Sequence, residues 1–514
     1  ERCARDLRLT LNTLVQGAWA LLLMRLNGLS DVVFGATVSG RHSDVPGVES
    51  IVGMCINTLP IAVHARPGIT TVEWLRELQS ELAAVQGFSQ VPLSELQALS
   101  TLGAGQPLFD TMVAFENYPI DSTLLHQSNL GDLKAAISVD AVRVIDSTHF
   151  GLALIVTPGE ELLVRLSFDT ARFDDASVRR VGSMWLELLK TMLTSPHEEL
   201  AGLLLPDVRT ARASSVAQRG RFGDIPWQDG EEKVAAIFSA ILGRSAVARD
   251  AHFFEIGGHS LNAIQVVSRL RKAFAIDVPL RSLFDHPVVA DLAMHIGQIG
   301  KGLRAATQSI RPHDGPLKLS FAQSRLWFLD QLNTVDAAYH IPVMLGFEGD
   351  LDIAILQHSL DRLLVRHEVL HSRFENVDGQ PTLRLDSAPY LALTPEVFDG
   401  DEGALAVMAS QESRRPFNLA GDLPIRVRLL RLAQRRHVLL LTLHHIAGDG
   451  WSVEILIKEL GALYRGNVPE PLPVRYSDYA HWLQVQLDGD RRTQQAAFWH
   501  KQLDGVPHFL NWLL

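Results

Sequence analysis

The sequence predicts a multidomain protein in which two mixed α/β regions flank a short all-α region. With 514 residues the chain can hold about two to four domains, each with its own core. Strand-like and helix-like segments alternate through residues 1–205 and again through 317–514. Between them, residues 225–300 contain helix-like segments only, and stretches typical of linkers lie on either side at 206–224 and 301–316.

The composition is that of a globular protein. Hydrophobic residues make up 47% of the chain and charged residues 20%, which fits neither disorder nor a membrane protein. The formal net charge of −11 provides no basic patch for nucleic acid. Two cysteines, Cys3 and Cys55, are too few for a disulfide framework and indicate a reducing, cytoplasmic compartment. Because the N-terminus resembles no signal peptide and lacks Met, we expect a fragment of a longer protein.

The first α/β region opens with a long apolar segment. Residues Leu9 to Leu26 predict a buried helix that ends at Asn27-Gly28, and a strand follows from Asp31. Further strands and an amphipathic helix are predicted at residues 151–157, 161–168 and 175–193.

The helical region is centred on Ser260. Apolar residues follow it at three- and four-residue spacing, which predicts a helix that begins at this serine: Leu261, Ile264, Val267, Leu270 and Phe274. Gly257 and Gly258 allow a sharp turn before the helix, and a helix N-terminus favours an anion, so a phosphodiester on Ser260 would fit. Ser260 could equally be a simple N-cap. A nucleophile elbow is disfavoured because Asn262 stands where that motif requires glycine.

The same region contains the other segments needed for a small bundle. Helical segments are predicted at residues 231–242, 280–284 and 288–296, and Pro287 is placed to open the last of them.

A second candidate site lies at the end of an apolar strand. Strand alternation directs His444 and His445 to opposite faces, so the two cannot easily share a metal. One of the two side chains should pack in the protein interior, and the other should face a cleft. Asp449-Gly450 predicts a turn, after which Ser452 is expected to cap a helix. By residue type alone, such a histidine pair is more often structural than catalytic.

A zinc site is a third possibility. The run His367-Glu368-x-x-His371 has the spacing at which two histidines one helical turn apart bind zinc while the glutamate acts as a base. No third ligand follows at a suitable spacing, so an ordinary exposed helix face is the favoured interpretation.

The Ser260 motif resembles a known family. The pattern Asp-x-x-Phe-Phe-x-x-Gly-Gly-His-Ser-Leu, from Asp250 to Leu261, is similar to the attachment site of peptidyl carrier domains in non-ribosomal peptide synthetases. The resemblance extends over residues 225–300. It implies an all-α four-helix carrier bundle in which Ser260 carries 4′-phosphopantetheine, whose thiol holds an aminoacyl or peptidyl thioester.

Motifs on both sides resemble the condensation domains of the same synthetases. Those typical of the C-terminal lobe are Ser39-Gly40-Arg41, Gly53-x-x-x-Asn57-Thr58, and residues 107–111 and 115–119. Those typical of the N-terminal lobe lie at residues 319–329, 366–374, 436–452 and 476–482. Epimerisation domains differ at Asn57-Thr58, which favours condensation. The implied fold is a pair of α/β lobes resembling chloramphenicol acetyltransferase.

The resemblance also assigns roles at the second site. In the pattern His-His-x-x-x-Asp-Gly, His445 would be the catalytic histidine beside His444, Asp449 would be chiefly structural, and Gly450 would allow a close backbone approach. The reaction is attack by an amine on a thioester, which requires positioning, proton transfer and stabilisation of an oxyanion.

The motif order predicts two half-domains around a carrier. Residues 1–205 would be the C-terminal lobe of an upstream condensation domain, and 317–514 the N-terminal lobe of a downstream one. On this interpretation the domain is incomplete and His445 lacks one wall of its tunnel. The alternative is that both halves pair as one permuted domain.

The expected partners follow from the family. They are a phosphopantetheinyl transferase, an adenylation domain acting in trans or elsewhere in the synthetase, neighbouring carrier domains, and aminoacyl or peptidyl thioester substrates; no nucleic acid or membrane is expected. The leading hypothesis is a peptide-bond-forming segment of a synthetase. Alternatives are a non-catalytic carrier and scaffold with inactive truncated lobes, and a zinc peptidase.

Overall fold

The fold is described from a computed structural model. It describes residues 2–41, 46–99, 107–116, 138–144, 150–159, 161–204, 230–242, 244, 246–256, 258, 260–274, 276, 278, 280–299, 310–313, 315–331, 339–487 and 489–505. The linker predicted at 206–224, Gly257 and residues 117–119 of one predicted motif lie outside this part of the chain. No helix among the described residues is long and apolar enough to cross a membrane.

Residues 2–204 alternate between helices and strands. The helices are α1 (Arg2–Leu7), α2 (Leu11–Asn27), α3 (Thr71–Gly87), α4 (Leu93–Leu99), α5 (Asp175–Thr194) and α6 (Ala201–Leu204). The strands are β1 (Asp31–Val38), β2 (Asn57–His64), β3 (Thr111–Phe115), β4 (Ser138–Val144), β5 (Leu152–Thr157) and β6 (Leu163–Phe168). Five of these strands form a sheet in the order β2-β1-β3-β5-β6.

The predicted helix at Leu9–Leu26 is confirmed as α2, and its ends have local causes. The Thr10 side chain accepts a hydrogen bond from the Thr13 amide at 3.1 Å, which satisfies a free amide of the first turn. Gly28 ends the helix in the left-handed conformation at φ 62°, where its amide bonds to the Met24 carbonyl. The predicted strands at 151–157 and 161–168 and the helix at 175–193 are also present, as β5, β6 and α5.

Residues 230–299 form a helical unit with a separate core. Its helices are α7 (Glu231–Leu242), α8 (Ser260–Phe274), α9 (Leu280–Asp285) and α10 (Val289–Ile299), which agrees with the predicted segments. Apolar side chains from these helices and from the loop before α8 are buried together, among them Val234, Phe238, Phe253, Leu270 and Leu292. The Phe253 amide donates to the Pro287 carbonyl at 2.7 Å and thereby joins that loop to the segment before α10.

Residues 310–503 form a second α/β unit. Its helices are α11 (Phe321–Gln331), α12 (Ile353–Arg366), α13 (Glu402–Arg414), α14 (Gly450–Tyr464), α15 (Tyr476–Gln486) and α16 (Asp490–Leu503). The strands are β7 (His340–Glu348), β8 (Ser372–Val377), β9 (Gln380–Leu385), β10 (Pro395–Val397), β11 (Ile425–Ala433) and β12 (Arg436–His444). β8 and β9 form a hairpin, and the other strands join a sheet in the order β10-β11-β12-β7-β4.

The two α/β units share one hydrophobic core. Buried side chains from residues 4–204 and from 310–503 belong to the same cluster, and Ile310, placed in a predicted linker, is part of it. Strand β4 leaves the first half and pairs antiparallel with β7 of the second, with Ser138 opposite Glu348. Phe88 stacks on Phe498 with ring centroids 3.9 Å apart.

The expectation that the two halves are separate bodies is therefore wrong, whereas their assignment to an upstream and a downstream condensation domain stays a prediction. Each half has an apolar face that the other covers. The arrangement is the permuted pairing, with the helical unit inserted between its two halves.

Candidate active site and carrier site

His444 is the last residue of β12 and is buried. It pairs with His340 across the β12–β7 ladder, and its side chain is 3% exposed. Its Nδ1 atom accepts a hydrogen bond from the Ile446 amide at 3.1 Å, which places the ring proton on Nε2. Burial lowers the pKa of His444 well below 6.5, and the charges of His340, His445 and Arg426 lower it further. His444 is therefore held neutral, as expected for the histidine that faces packing.

His445 leaves the strand and enters a short 3₁₀ turn that spans His445–Ala447. Its amide donates to the Tyr339 carbonyl at 2.8 Å, and its side chain is partly exposed, unlike that of His444. The adjacent histidines thus have different environments, one enclosed and one accessible, but the cause is the turn that begins at His445 and not strand alternation.

Gln323 was not identified as a site residue from the sequence, although it lies in the opening motif at 319–329. It is fully buried, and its Nε2 donates to the Ile446 carbonyl at 3.1 Å. Its Oε1 accepts from the Ser320 amide at 3.0 Å. Gln323 therefore fixes the turn that carries His445, and the signal in the sequence was a polar residue at a buried position of α11.

Asp449 is fully buried and forms a bidentate ion pair with Arg41 of the other half. Arg41 Nη1 lies 2.6 Å from Asp449 Oδ2, and Arg41 Nη2 lies 2.9 Å from Oδ1. The Ser452 amide and hydroxyl also donate to Oδ1, at 2.9 and 2.7 Å, and the Cys55 amide donates to Oδ2 at 3.2 Å. With both oxygens fully engaged, Asp449 holds structure together and is unavailable as a base.

The electrostatics of this pair favour the charged form of both partners. Burial alone would raise the pKa of Asp449, but the charge of Arg41 and the hydrogen bonds from Arg41 and Ser452 lower it below its usual value. Burial would likewise lower the pKa of Arg41, and the Asp449 carboxylate reverses this.

One prediction for this turn, the helix cap at Ser452, is wrong, and another, for Gly450, is not tested. Ser452 does not cap the helix α14. The cap is Asp449, whose Oδ1 accepts from the Ser452 amide at 2.9 Å, because Ser452 is already within the first helical turn. Ser452 instead bridges the halves, since its hydroxyl hydrogen bonds to the Gly53 backbone. Gly450 is the first residue of α14, and its predicted close approach stays a prediction.

The glycine and tyrosine motifs meet where the halves pack together. A Cβ atom on Gly53 would lie 1.9 Å from Cδ2 of Tyr476, so glycine is required there. The Tyr476 hydroxyl donates to the Met54 carbonyl at 2.8 Å, and the Tyr479 hydroxyl donates to the Gly40 carbonyl at 3.2 Å. These motifs, predicted to belong to two different domains, form one interface.

The zinc motif does not adopt zinc-binding geometry. Helix α12 ends at Arg366, and residues Glu368–His371 form a 3₁₀ turn, so the two histidines do not share a helical face. His367 Nε2 lies 2.7 Å from Glu459 Oε2, while His371 Nδ1 lies 3.1 Å from the Asp386 carbonyl. Glu368 accepts from the Ser477 amide at 2.9 Å. The expectation of an exposed helix face is also wrong, because His367 is 3% exposed.

Ser260 is the first residue of helix α8, as predicted. The loop before it is compact, since a Cβ atom on Gly258 would lie 2.4 Å from the Phe253 ring. At the N-terminus of this 15-residue helix, free backbone amides and the helix dipole favour a negatively charged group. A phosphate ester on Ser260 fits this position.

Two protein families match the chain. The family described as "Condensation domain" matches residues 1–213 and 314–512, which together exceed half of the chain and correspond to the two halves that share a core. The chain belongs to the condensation domain family. A second family, "Phosphopantetheine attachment site", matches residues 232–296, the helical unit that contains Ser260.

Relatives of this condensation domain are synthetases. A linear gramicidin synthase of Brevibacillus parabrevis is 38% identical over 306 residues, which is 55% of this chain and 4% of that protein. The dimodular nonribosomal peptide synthase of Bacillus subtilis (strain 168) is 34% identical over 396 residues, 72% of this chain and 16% of that protein. The chain therefore spans a small part of these relatives and is a non-ribosomal peptide synthetase segment that includes a phosphopantetheine attachment site.

A solved structure is also similar to part of the chain. The X-domain from teicoplanin biosynthesis is 31% identical, with a TM-score of 0.35, over 38% of this chain and 45% of that chain.

Proposed function

We propose that the chain forms amide bonds between thioester-linked substrates, with residues 225–300 as a four-helix carrier and His445 as the catalytic histidine. The observation that supports this best is the contrast within the histidine pair. His444 is enclosed and neutral, whereas His445 is partly exposed on a turn fixed by Gln323, four residues before the Asp449 that pairs with Arg41. An accessible imidazole on a fixed turn can contact a substrate.

The attached group would have a simple role. Phosphopantetheine on Ser260 supplies the thiol that holds an acyl group as a thioester. The helix N-terminus at Ser260 balances the phosphate charge, and the serine oxygen forms the ester.

The residues of the condensation domain would act on the amine. The nitrogen of the acceptor amine attacks the thioester carbonyl carbon, the C–N bond forms, and the C–S bond breaks. His445 orients the amine and takes its proton, which finally goes to the departing thiolate. Asp449 takes no proton because Arg41, Ser452 and Cys55 already occupy both of its oxygens.

The partners of this reaction follow from the same chemistry. A phosphopantetheinyl transferase would modify Ser260, and an adenylation domain in trans or elsewhere in the synthetase would load the thiol. Neighbouring carrier domains would bring the second substrate. Cys3 and Cys55 are both free thiols, which supports a cytoplasmic location.

The modification is tested by intact mass. The protein and Ser260→Ala are incubated with coenzyme A and a broad-specificity phosphopantetheinyl transferase. We expect one phosphopantetheine on the unchanged protein and none on the variant. Failure of well-folded protein to gain this mass would contradict the carrier role.

The amide-forming step is tested on protein loaded with an aminoacyl phosphopantetheine from aminoacyl-coenzyme A. An N-acetylated aminoacyl thioester of N-acetylcysteamine serves as donor, and the expected product is a dipeptidyl carrier, detected by mass. His445→Ala should reduce its formation by about 100-fold or more while leaving the fold and the loading intact. Product formation at the normal rate by His445→Ala would overturn the assignment.

A further inference from the structure

The helical unit that contains Ser260 contacts the first lobe through an ion pair. Arg8 follows helix α1, and Glu255 lies in the loop just before helix α8. Arg8 Nη2 lies 2.7 Å from Glu255 Oε1, and Arg8 Nε donates to the same oxygen at 2.8 Å. The two residues are 247 positions apart in the chain, so this contact depends on how the helical unit packs on the lobe.

Arg8 has an unusual backbone. Its φ of 62° lies in the left-handed region that favours glycine, and such a conformation is costly for arginine. The turn after α1 forces it, because the Arg8 amide bonds to the Arg5 carbonyl and the Leu9 amide bonds to the Ala4 carbonyl. A glycine would satisfy this turn at lower cost. We therefore attribute the arginine at this position to the contact that its side chain makes with Glu255.

Helix α3 holds this arginine in place. Gln79 Nε2 donates to the Arg8 carbonyl at 3.3 Å, and Arg76 Nη2 donates to the Leu7 carbonyl at 3.4 Å. The same helix packs against α9 of the helical unit. Helix α3 thus supports the charged contact and provides a second contact surface next to it.

We propose that Arg8 and helix α3 form a docking surface for the carrier, with Arg8 recognising Glu255 beside the attachment serine. The inference rests on the proposed carrier role of residues 225–300. The carrier must leave any one position to meet other domains, so a useful docking contact is a weak one. The Arg8 side chain is 21% exposed and that of Glu255 44%, and such an ion pair contributes little, which suits reversible docking.

The experiment measures the position of the carrier in the full chain. Cys3 is exposed on α1, and Glu232→Cys places a second thiol on the exposed side of α7. Cys55 is 4% exposed, and burial raises the pKa of its thiol to about 12, so it resists labelling. Spin labels on Cys3 and on position 232 then report the distance between the lobe and the carrier.

The variants are Arg8→Gly, Glu255→Gln and both together. Each single change should lower the ratio of docked to undocked carrier by about two- to fivefold, and the double variant should lower it no further. Raising the salt concentration should undock the unchanged protein but have little effect on Arg8→Gly. Arg8→Gly should also melt at the same or a higher temperature, because it relieves the left-handed strain.

Asp378→Gly is the matched control. Asp378 is the other non-glycine residue with positive φ in the described part of the chain, at 53°, and it lies in the β8–β9 hairpin. Its replacement should relieve strain and leave the distance unchanged. Unaltered distances in both Arg8→Gly and Glu255→Gln would overturn the proposal. The distances need no phosphopantetheine, so a failure to modify Ser260 would contradict the carrier role and not this contact.

Discussion

Arg41 and Asp449, which are 408 positions apart, form a buried bidentate ion pair at the contact between the two halves of the condensation domain. The side chain of Arg41 is 4% exposed and that of Asp449 is 0% exposed. The aspartate also caps α14, so one residue both begins a helix and joins the lobes. Asp449 therefore has a structural role, although it belongs to the same motif as the two histidines.

Removing one partner of this pair should destabilise the domain strongly. Arg41→Ala leaves a buried carboxylate without its counter-charge, and we expect a loss of about 3–5 kcal/mol in the free energy of unfolding. Chemical denaturation followed by Trp fluorescence measures it. Arg66→Ala, in an exposed ion pair with Glu77, is the control and should change stability little. Equal effects of the two variants would contradict the role of Arg41.

The lowered pKa of Asp449 predicts acid sensitivity. A carboxyl group whose pKa is lower in the folded state stabilises the fold above its unfolded pKa of about 3.8, and this contribution is lost as pH falls further. We expect Asp449→Asn to be less stable at pH 7 and to lose less stability than the unchanged protein between pH 4 and 3. Parallel curves for the two proteins would refute this.

Gly53 should tolerate no side chain. The Cβ atom in Gly53→Ala would overlap the Tyr476 ring and push the halves apart, at a cost of about 3 kcal/mol. Gly87→Ala is the control, because a Cβ atom there meets no atom within 4 Å. Thermal unfolding compares the variants, and a melting temperature for Gly53→Ala equal to that of Gly87→Ala would disprove the close approach.

His444 should make the fold sensitive to mild acid. Because its pKa is lowered, it favours the folded state above its unfolded pKa of about 6.5, and this stabilisation decreases as pH falls below that value. His444→Asn can still accept from the Ile446 amide but cannot be protonated. We expect it to lose about 2 kcal/mol of stability at pH 8 and to show a shallower decline from pH 6.5 to 5. An unchanged decline would show that other groups cause it.

His367 should stabilise the fold through its hydrogen bond to Glu459. His367→Ala removes a buried hydrogen bond to this carboxylate, and we expect a loss of about 2 kcal/mol in the free energy of unfolding. A chelator should leave the melting temperature of the unchanged protein unaltered. Stoichiometric zinc in the purified protein, lost in His367→Ala, would restore the metal interpretation.

Much of the local structure was predictable. Helix α2 was found from its apolar residues and from Asn27-Gly28, and helix α8 from its apolar spacing after Ser260. Different environments for His444 and His445 are also predictable, although the structure produces them by ending β12 at His444 and not by strand alternation. These features depend on residues within a few positions of each other, so the sequence alone contains their causes.

Other features required the folded chain. Two errors were of one kind: the exposed face assigned to His367 and the separation of the halves. In both, the decisive partner is far away in the sequence, such as Glu459 for His367. The helix cap assigned to Ser452 was a local error of three residues, because the cap is Asp449.

The family motifs, the positions of most helices and strands near them, and the order of the three regions can all be read from the residues in order. That the first and last regions share one core, with the Arg41–Asp449 pair between them, becomes visible only in the folded chain. The difference arises because periodicity and capping act within a few residues. An apolar lobe face, by contrast, must be buried against another segment, but its own residues do not show which distant segment that is.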